Sequence, residues 1–255
     1  MDANTKHLLK YWVVIIVLAA LLLIGISAGL ISSLGRGDYT PVIALTVAAV
    51  VVIFSILRSR RKALLLFKDA SPDRAIAYYQ ASTKRIPNGK AMAAYLSAFA
   101  CVLYGQFDRA RQELASVNWS VLPPLYQGFE TYIHSLLAIF EAKDYARALL
   151  LAEEARDLSE ASKKLPGVET SRATLDANVA VCELLRGKNN PELLTRLDRA
   201  SRDLPGVAPA FPSWALATHH ARAGQSDTAE RYLAVVKRLL PHSVLLHDPH
   251  MAARA

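Results

Sequence analysis

Histidine and acidic side chains near the carboxyl end of the chain are the first candidates for chemistry. This segment contains His242, His247, Asp248 and His250. Zinc needs ligands that converge on one point, and neither HExxH nor paired CxxC spacing is present. The adjacent residues His219 and His220 point about 100° apart on a helix, so they are poorly placed to share an ion. We therefore expect no metal site.

The sequence also lacks the motifs of common nucleotide-dependent enzymes. Neither GxGxxG nor GxxxxGK[ST] occurs, and the carboxylates are scattered over predicted helix faces, where such groups are usually solvated. The only cysteines are Cys101 and Cys182, which excludes a disulfide framework and suits a reducing compartment. We expect no enzyme activity and no cofactor.

The elements that would position any site begin with two uncharged apolar runs, residues 11 to 34 and about 41 to 57. At about 1.5 Å per residue, the first is long enough to cross a hydrocarbon core of about 30 Å, and the second just reaches. A secretory signal peptide has a shorter apolar region and is not followed by a second span. We predict a membrane anchor over residues 1 to 62 that contains a transmembrane hairpin.

Basic residues at the ends of these runs predict the orientation of the hairpin. Lys6 and Lys10 precede the first run, whereas Arg36 in the connecting loop is balanced by Asp38. The second run is followed by a basic cluster, Arg58, Arg60, Arg61 and Lys62. Lysine and arginine near span ends are retained on the cytoplasmic side, so both termini are expected to face the cytoplasm of a bacterial inner membrane.

The basic cluster also accounts for much of the net charge of +8, because residues 1 to 62 carry seven basic and two acidic side chains. Such a cluster attracts anionic lipid headgroups with about 1 kcal/mol per residue. No basic stripe interleaved with aromatic residues indicates nucleic-acid binding. We therefore expect membrane lipid, and no nucleic acid, as a partner of this segment.

Small residues recur within the two predicted spans at a spacing of four. They are Gly25 and Gly29 in the first span, and Ala44 and Ala48 in the second. This spacing lets membrane helices approach closely. We expect packing of the two spans against each other, with dimerisation through the spans as the alternative.

From residue 63 onward the chain is rich in Ala and Leu at helical spacing and has no alternating strand pattern, which predicts an all-α domain. A polar turn followed by a small or apolar residue at a fixed place recurs at Ala75, Ala110, Ala148, Leu193 and Ala229. The successive spacings are 35, 38, 45 and 36. Prolines follow most of these turns at a similar distance, at Pro87, Pro123, Pro205 and Pro241. A recurring helix-turn-helix unit explains this pattern.

The pattern resembles the tetratricopeptide repeat (TPR) family, whose unit of about 34 residues is a helix-turn-helix. The matching features are Gly105 and Gly224 at turns, Phe107 and Tyr145 just after turns, and the terminal prolines. The last unit fits best, through Trp214, Ala217, Gly224, Ala229 and Pro241. The resemblance implies an α-solenoid of about four to five helix pairs over residues 63 to 241, followed by a tail or short cap, residues 242 to 255.

The resemblance further implies a concave wall, lined by the first helix of each unit, that binds an extended peptide or a partner helix. In this register the wall would contain Tyr95, Phe99, His134, Glu141, Asn178, Arg186, Trp214 and Arg222. The Lys and Asn clamp with which some family members hold a terminal carboxylate is replaced here by Tyr95 and Phe99, which favours a more apolar ligand. Packing against the neighbouring unit is the alternative role of these residues, and the outer face, with Arg147 and Glu154, is the alternative binding surface.

These features together predict a membrane-anchored scaffold that recruits proteins through a TPR-like groove. The alternative is a structural subunit of a larger membrane complex, of the assembly, secretion or heme-biosynthesis-associated type. The heme-biosynthesis-associated type is included because a two-span anchor followed by such repeats resembles the heme-biosynthesis-associated membrane proteins of bacteria. This resemblance is one of domain arrangement and not of a shared motif. A homo-oligomer is compatible with both.

Overall fold

The computed structural model describes residues 46 to 51, 54, 65 to 162 and 168 to 247. The chain divides into two compact units, Met1–Ala63 and Leu64–Ala255. In the first unit, the described residues 46 to 51 and 54 are helical. The rest of the predicted spans, residues 11 to 34 and 41 to 57, lies outside the described residues.

Within the described residues, no helix is both long enough and apolar enough to cross a membrane.

The described part of the second unit is all-helical and contains no strand, as its apolar periodicity predicts. We number its α-helices α1 (Asp73–Ser82), α2 (Gly89–Leu103), α3 (Phe107–Ala115), α4 (Pro124–Leu137), α5 (Tyr145–Glu160), α6 (Val168–Leu185), α7 (Pro191–Asp203), α8 (Ala210–Arg222), α9 (Ser226–Leu239) and α10 (Val244–His247). Two 3₁₀ turns, Leu66–Lys68 and Trp119–Val121, precede α1 and α4, and a π-helical turn, Ala138–Ala142, extends α4.

Consecutive helices pack as antiparallel hairpins, α2 with α3, α4 with α5, α6 with α7 and α8 with α9. Their turns use the local chemistry seen in the sequence. The carboxylate of Asp144 accepts a hydrogen bond from the backbone N–H of Arg147. The side chain of Asn190 likewise accepts a hydrogen bond from the backbone N–H of Leu193, so each side chain caps the start of a helix. Gly105 and Gly224 adopt φ of 73° and 72°, a left-handed conformation that costs other residues free energy.

Small residues lie buried where the paired helices approach each other. Ala98 and Ala110 of the first of these hairpins are completely buried, and Ala217 and Ala229 are buried in the last. Between α4 and α5, Leu136 and Ala148 are both completely buried, and the Ser135 hydroxyl donates to the Ala148 carbonyl at 3.0 Å.

Gly128 explains the close approach of α4 and α5. A Cβ atom at this position would lie 2.9 Å from the carbonyl oxygen of Ala155 and 3.4 Å from the Cβ atom of Leu158. Real side chains do not tolerate the first of these distances. The absence of a side chain at Gly128 therefore allows the two backbones to meet.

The last helices fold back onto the first ones, so the two ends of the repeat region meet. The hydroxyl of Ser243 donates to the carbonyl of Leu103 in α2 at 2.7 Å, and the ammonium of Lys68 donates to the carbonyl of Arg238. Leu246 of α10 is 1% exposed, and Leu245 lies against Gly105. The carboxyl-terminal helix thus covers apolar surface that an open array would leave to solvent.

Candidate protein-binding surface

The aromatic residues predicted to line the concave wall belong to the interior packing. Phe99 is 9% exposed and its ring lies 5.8 Å from that of Phe211, while Trp214 is 2% exposed and lies 5.0 Å from Phe140. Tyr95 is half-buried and stacks on Phe129 with ring centroids 4.5 Å apart. Burial raises the pKa of Tyr95. The expectation that Phe99 and Trp214 face an open wall is therefore wrong, because rings from distant helices cover them, whereas Tyr95 is only partly covered.

Asn178, also predicted on the wall, is buried in a small polar cluster between α4 and α6. Its side-chain amide donates to the Ser135 hydroxyl at 3.0 Å, and Cys182 lies 3.9 Å from the same hydroxyl. Burial raises the pKa of the Cys182 thiol to about 12, so this thiol stays protonated at neutral pH. The cluster holds α4 against α6, and Asn178 offers no surface to a partner.

The four other predicted wall residues, His134, Glu141, Arg186 and Arg222, are exposed. Glu141 forms an ion pair with Arg111 of α3, and the imidazole of His134 lies 4.0 Å from the carboxylate of Glu130. Burial, followed by the positive charges of Arg147 and Arg111, lowers the pKa of His134. His134 is therefore neutral at pH 7.

The other site predictions concern the membrane anchor. The lipid-headgroup residues Arg58, Arg60, Arg61 and Lys62, and the helix-packing residues Gly25, Gly29 and Ala44, lie outside the described residues. Ala48 is described, is helical and is exposed.

An open groove runs over the outer face of α4 and α5. One part is a cleft of about 450 Å³ between the segment after α3, α4 and α5, lined by Val117, Asn118, Trp119, Ser120, Gln127, Glu130, Thr131, Glu154 and Leu158. The other part continues along α5 and is lined by Pro124, Leu150, Glu153, Glu154, Asp157, Leu158 and Ala161. We call both parts together the outer groove.

Local contacts fix the walls of the outer groove. The indole N–H of Trp119 donates to the carbonyl of Leu114 at 2.8 Å, which anchors the turn after α3. The side-chain amide of Gln127 donates to the carbonyl of Leu122 at 2.8 Å, which holds the start of α4. Gly128 keeps α5 close to α4 on the other side. The groove is therefore bounded by anchored backbone.

Acidic side chains dominate the charge of the outer groove. Glu130 and Glu154 are close enough to repel each other, and burial together with the charge of Glu154 raises the pKa of Glu130. Asp157 pairs with Arg156 at 2.9 Å. Among the described residues, no Lys or Arg forms a salt bridge with Glu130, Glu153 or Glu154. The described lining of the groove is thus acidic, on a protein whose net charge is positive.

The most exposed large apolar side chain that lines the same groove is Leu150, and Val121 precedes the helix α4 that forms one of its walls. Leu150 is 68% exposed, and Val121, in the turn before α4, is 74% exposed. The sequence contains a signal for this, because Leu149, Leu150 and Leu151 are consecutive and point about 100° apart on α5. Three such side chains do not fit one buried face, so one of them faces solvent.

Two of the histidines considered as metal ligands, His220 and His247, have other partners. The His220 ring stacks on Tyr232 and hydrogen-bonds to Gln225, and His247 hydrogen-bonds to the carbonyl of Leu240. No group of three or more metal-binding side chains occurs within residues 65 to 162 and 168 to 247 or the described part of the first unit. Asp248 and His250 lie outside that region.

Comparison of the chain with models of protein families, with curated proteins and with solved structures finds no match in any of the three. The resemblance to the TPR family therefore rests on the repeat pattern alone.

Proposed function

We propose that this protein is a membrane-anchored scaffold that recruits a protein partner to the cytoplasmic face of a bacterial inner membrane. In this proposal, residues 1 to 62 form a two-span anchor and residues 63 to 241 form a TPR-like array of helical hairpins. The partner binds the outer groove, rather than the concave wall expected from the sequence.

The anchor is supported by the surface of the described helical residues 46 to 51 and 54. Four large apolar side chains there are more than half exposed: Val47, Val50, Val51 and Phe54. A contiguous exposed apolar surface of this kind is unfavourable in water and marks a contact with lipid or protein. Together with the uncharged apolar runs, it favours a membrane environment for the first unit.

The observation that carries the recruiting role is the outer groove, where exposed apolar and acidic side chains share one face of a helical hairpin. Leu150 contributes apolar surface, and Glu153 and Glu154 contribute charge on the same helix. Their burial by a partner would release water from the leucine and provide counter-charges for the carboxylates. Arg186 and Arg222 remain as exposed members of the original wall prediction and serve as the comparison surface.

A permanent structural subunit is the second candidate function. The exposure of Leu150 and Val121 favours it, because obligate interfaces are more apolar than transient ones. A subunit of this kind would be recovered from membranes only within its complex. A scaffold would instead be recovered both free and bound.

Topology is tested by a reporter fused after Ala255 and by a thiol label introduced into the loop between the two predicted spans. The proposal expects an active cytoplasmic reporter and a loop that an impermeant reagent labels from the outside. Cleavage of the repeat domain by protease added outside the membrane would contradict the proposal.

Recruitment is tested by affinity capture from detergent-solubilised membranes, with partners identified by mass spectrometry. Three variants are compared. The first is a groove variant that carries both Leu150→Ser and Glu154→Gln, and the second is a wall variant that carries both Arg186→Ala and Arg222→Ala. The third, Glu230→Gln, is a control at an exposed position of α9. We expect loss of the partner only in the groove variant. If the wall variant loses the partner and the groove variant keeps it, the partner binds the concave wall and not the outer groove.

A further inference from the structure

We propose that the occupant of the outer groove is a helical segment of a partner protein with one apolar face and flanking Lys or Arg side chains. This inference rests on the proposed recruiting function and specifies the chemistry of the partner.

Apolar side chains line the groove along α5 together with acidic ones. Leu150, Leu158 and Ala161 supply the apolar surface, and Glu154 and Asp157 lie between them on the same side of the helix, at the i+4 and i+7 positions from Leu150. From residue 150 to 161 this mixed surface is about 17 Å long, at about 1.5 Å per residue. A partner helix of about three turns matches this length.

The charge of the groove selects a basic partner. Glu153, Glu154 and Asp157 lie beside the apolar residues on α5, and Glu130 reaches the same region from α4. The whole chain is positive, with a net charge of +8, so this acidic patch opposes the overall charge of the molecule. An anionic lipid surface or a nucleic acid would be repelled here, whereas Lys or Arg side chains would be attracted to these carboxylates.

The cleft beside Trp119 is the part of the groove that can receive partner side chains. Its volume is about 450 Å³, and its lining includes the polar groups of Gln127, Glu130 and Thr131. A long basic side chain that packs its methylene groups beside Leu158 would place its charged head near Glu130 and Glu154. The geometry thus accommodates both components of an amphipathic basic helix.

The test uses the full-length protein in phosphatidylcholine nanodiscs, because these carry no anionic lipid that would itself bind a basic peptide. The probe is a fluorescein-labelled peptide of sequence KLLKKLLKKLLKKL, and fluorescence anisotropy reports binding. Leu150→Ser, and separately Glu153→Gln with Glu154→Gln, should each weaken binding at least about tenfold, because the change removes central contact groups. Matched variants outside the groove, Ile86→Ser and Glu230→Gln, should bind within about twofold of wild type.

Two results would overturn the inference. One is equal binding of the peptide in which every Lys is replaced by Glu, and the other is wild-type binding by both groove variants. A third result is that the peptide does not bind, while Leu150→Ser and Glu154→Gln still abolish capture of the cellular partner. This result would refute a basic partner segment but leave the recruiting role intact. A dimer that Leu150→Ser dissociates would assign the groove to a second copy of the chain. Melting curves of all variants confirm that they fold.

Discussion

Ser135 is the residue whose replacement tests the interior packing most sharply. Its hydroxyl donates to the carbonyl of Ala148 at 3.0 Å and accepts from the amide of Asn178 at 3.0 Å. Both Ser135 and Asn178 are almost completely buried. Ser135→Ala therefore removes two hydrogen bonds and leaves a buried N–H group of Asn178 without its acceptor.

The expected cost follows from these contacts. Loss of the bond to Ala148 costs about 1 kcal/mol, because that carbonyl lies within a helix, and a buried amide without a partner costs about 1 to 3 kcal/mol. The two contributions together predict a loss of about 2 to 4 kcal/mol in unfolding free energy. For a domain of this size, that loss corresponds to a decrease in Tm of about 4 to 16 °C.

The assay is thermal unfolding of the full-length protein, followed by far-UV circular dichroism, with Ser120→Ala as a control at an exposed hydroxyl. Adding Asn178→Leu to Ser135→Ala should restore part of the lost stability, because it removes the amide that has lost its acceptor. If Ser135→Ala melts like wild type, or if the two changes are strictly additive, the buried cluster does not hold α4 against α6 as described.

Three further variants test local parts of the structure, each by its melting temperature. Gly128→Ala should destabilise the protein by up to about 2 kcal/mol, because overpacking against Ala155 outweighs a helix-propensity gain of about 1 kcal/mol. A higher Tm for this variant would contradict the close approach of α4 and α5. Ala110→Leu should cost about 1 to 3 kcal/mol whereas the exposed Ala146→Leu should cost little, and equal shifts would refute the helix register. Glu130→Gln should raise Tm slightly at pH 7, by less than about 1 kcal/mol because the side chain is partly exposed. The native pKa of Glu130 is raised, so this gain should shrink as the pH falls through that pKa and the carboxyl becomes protonated; a gain that persists at low pH would exclude the charge as its cause.

The sequence predicted the helix starts and turns of the second unit because local chemistry decides them. Asp144 and Asn190 have side chains that cap a helix whatever surrounds them, and Gly105 and Gly224 adopt a left-handed conformation at low cost. These signals are contained within a few residues. The positions of these turns could therefore be predicted from the chain alone, whereas the exact helix boundaries of the middle units could not.

The burial of the predicted wall residues could not be read in this way, because it depends on helices far apart in sequence. Phe99 is covered by Phe211, and Leu103 receives a hydrogen bond from Ser243. Repeat periodicity places a side chain on a face of its own helix. It does not say which distant helix covers that face, or that the two ends of the array meet.

The outer groove was missed for a related reason. Arg147 and Glu154 mark the alternative outer surface in the sequence. The proximity of the like-charged Glu130 and Glu154, however, depends on how α4 and α5 are aligned against each other. That alignment depends on Gly128, whose role is visible only when the opposing backbone is in place. The exposed Leu150 was the one signal available from the sequence.

Site-specific photocrosslinking in living cells tests the central claim most directly. A photoreactive amino acid replaces Leu150 in the outer groove, Arg222 on the predicted wall, or Glu230 as an exposed control, each in the full-length protein. The proposed function predicts a discrete crosslinked protein from the Leu150 position and none from the other two. A crosslink from Arg222 alone, or no crosslink above the Glu230 control at Leu150, would contradict recruitment through the outer groove.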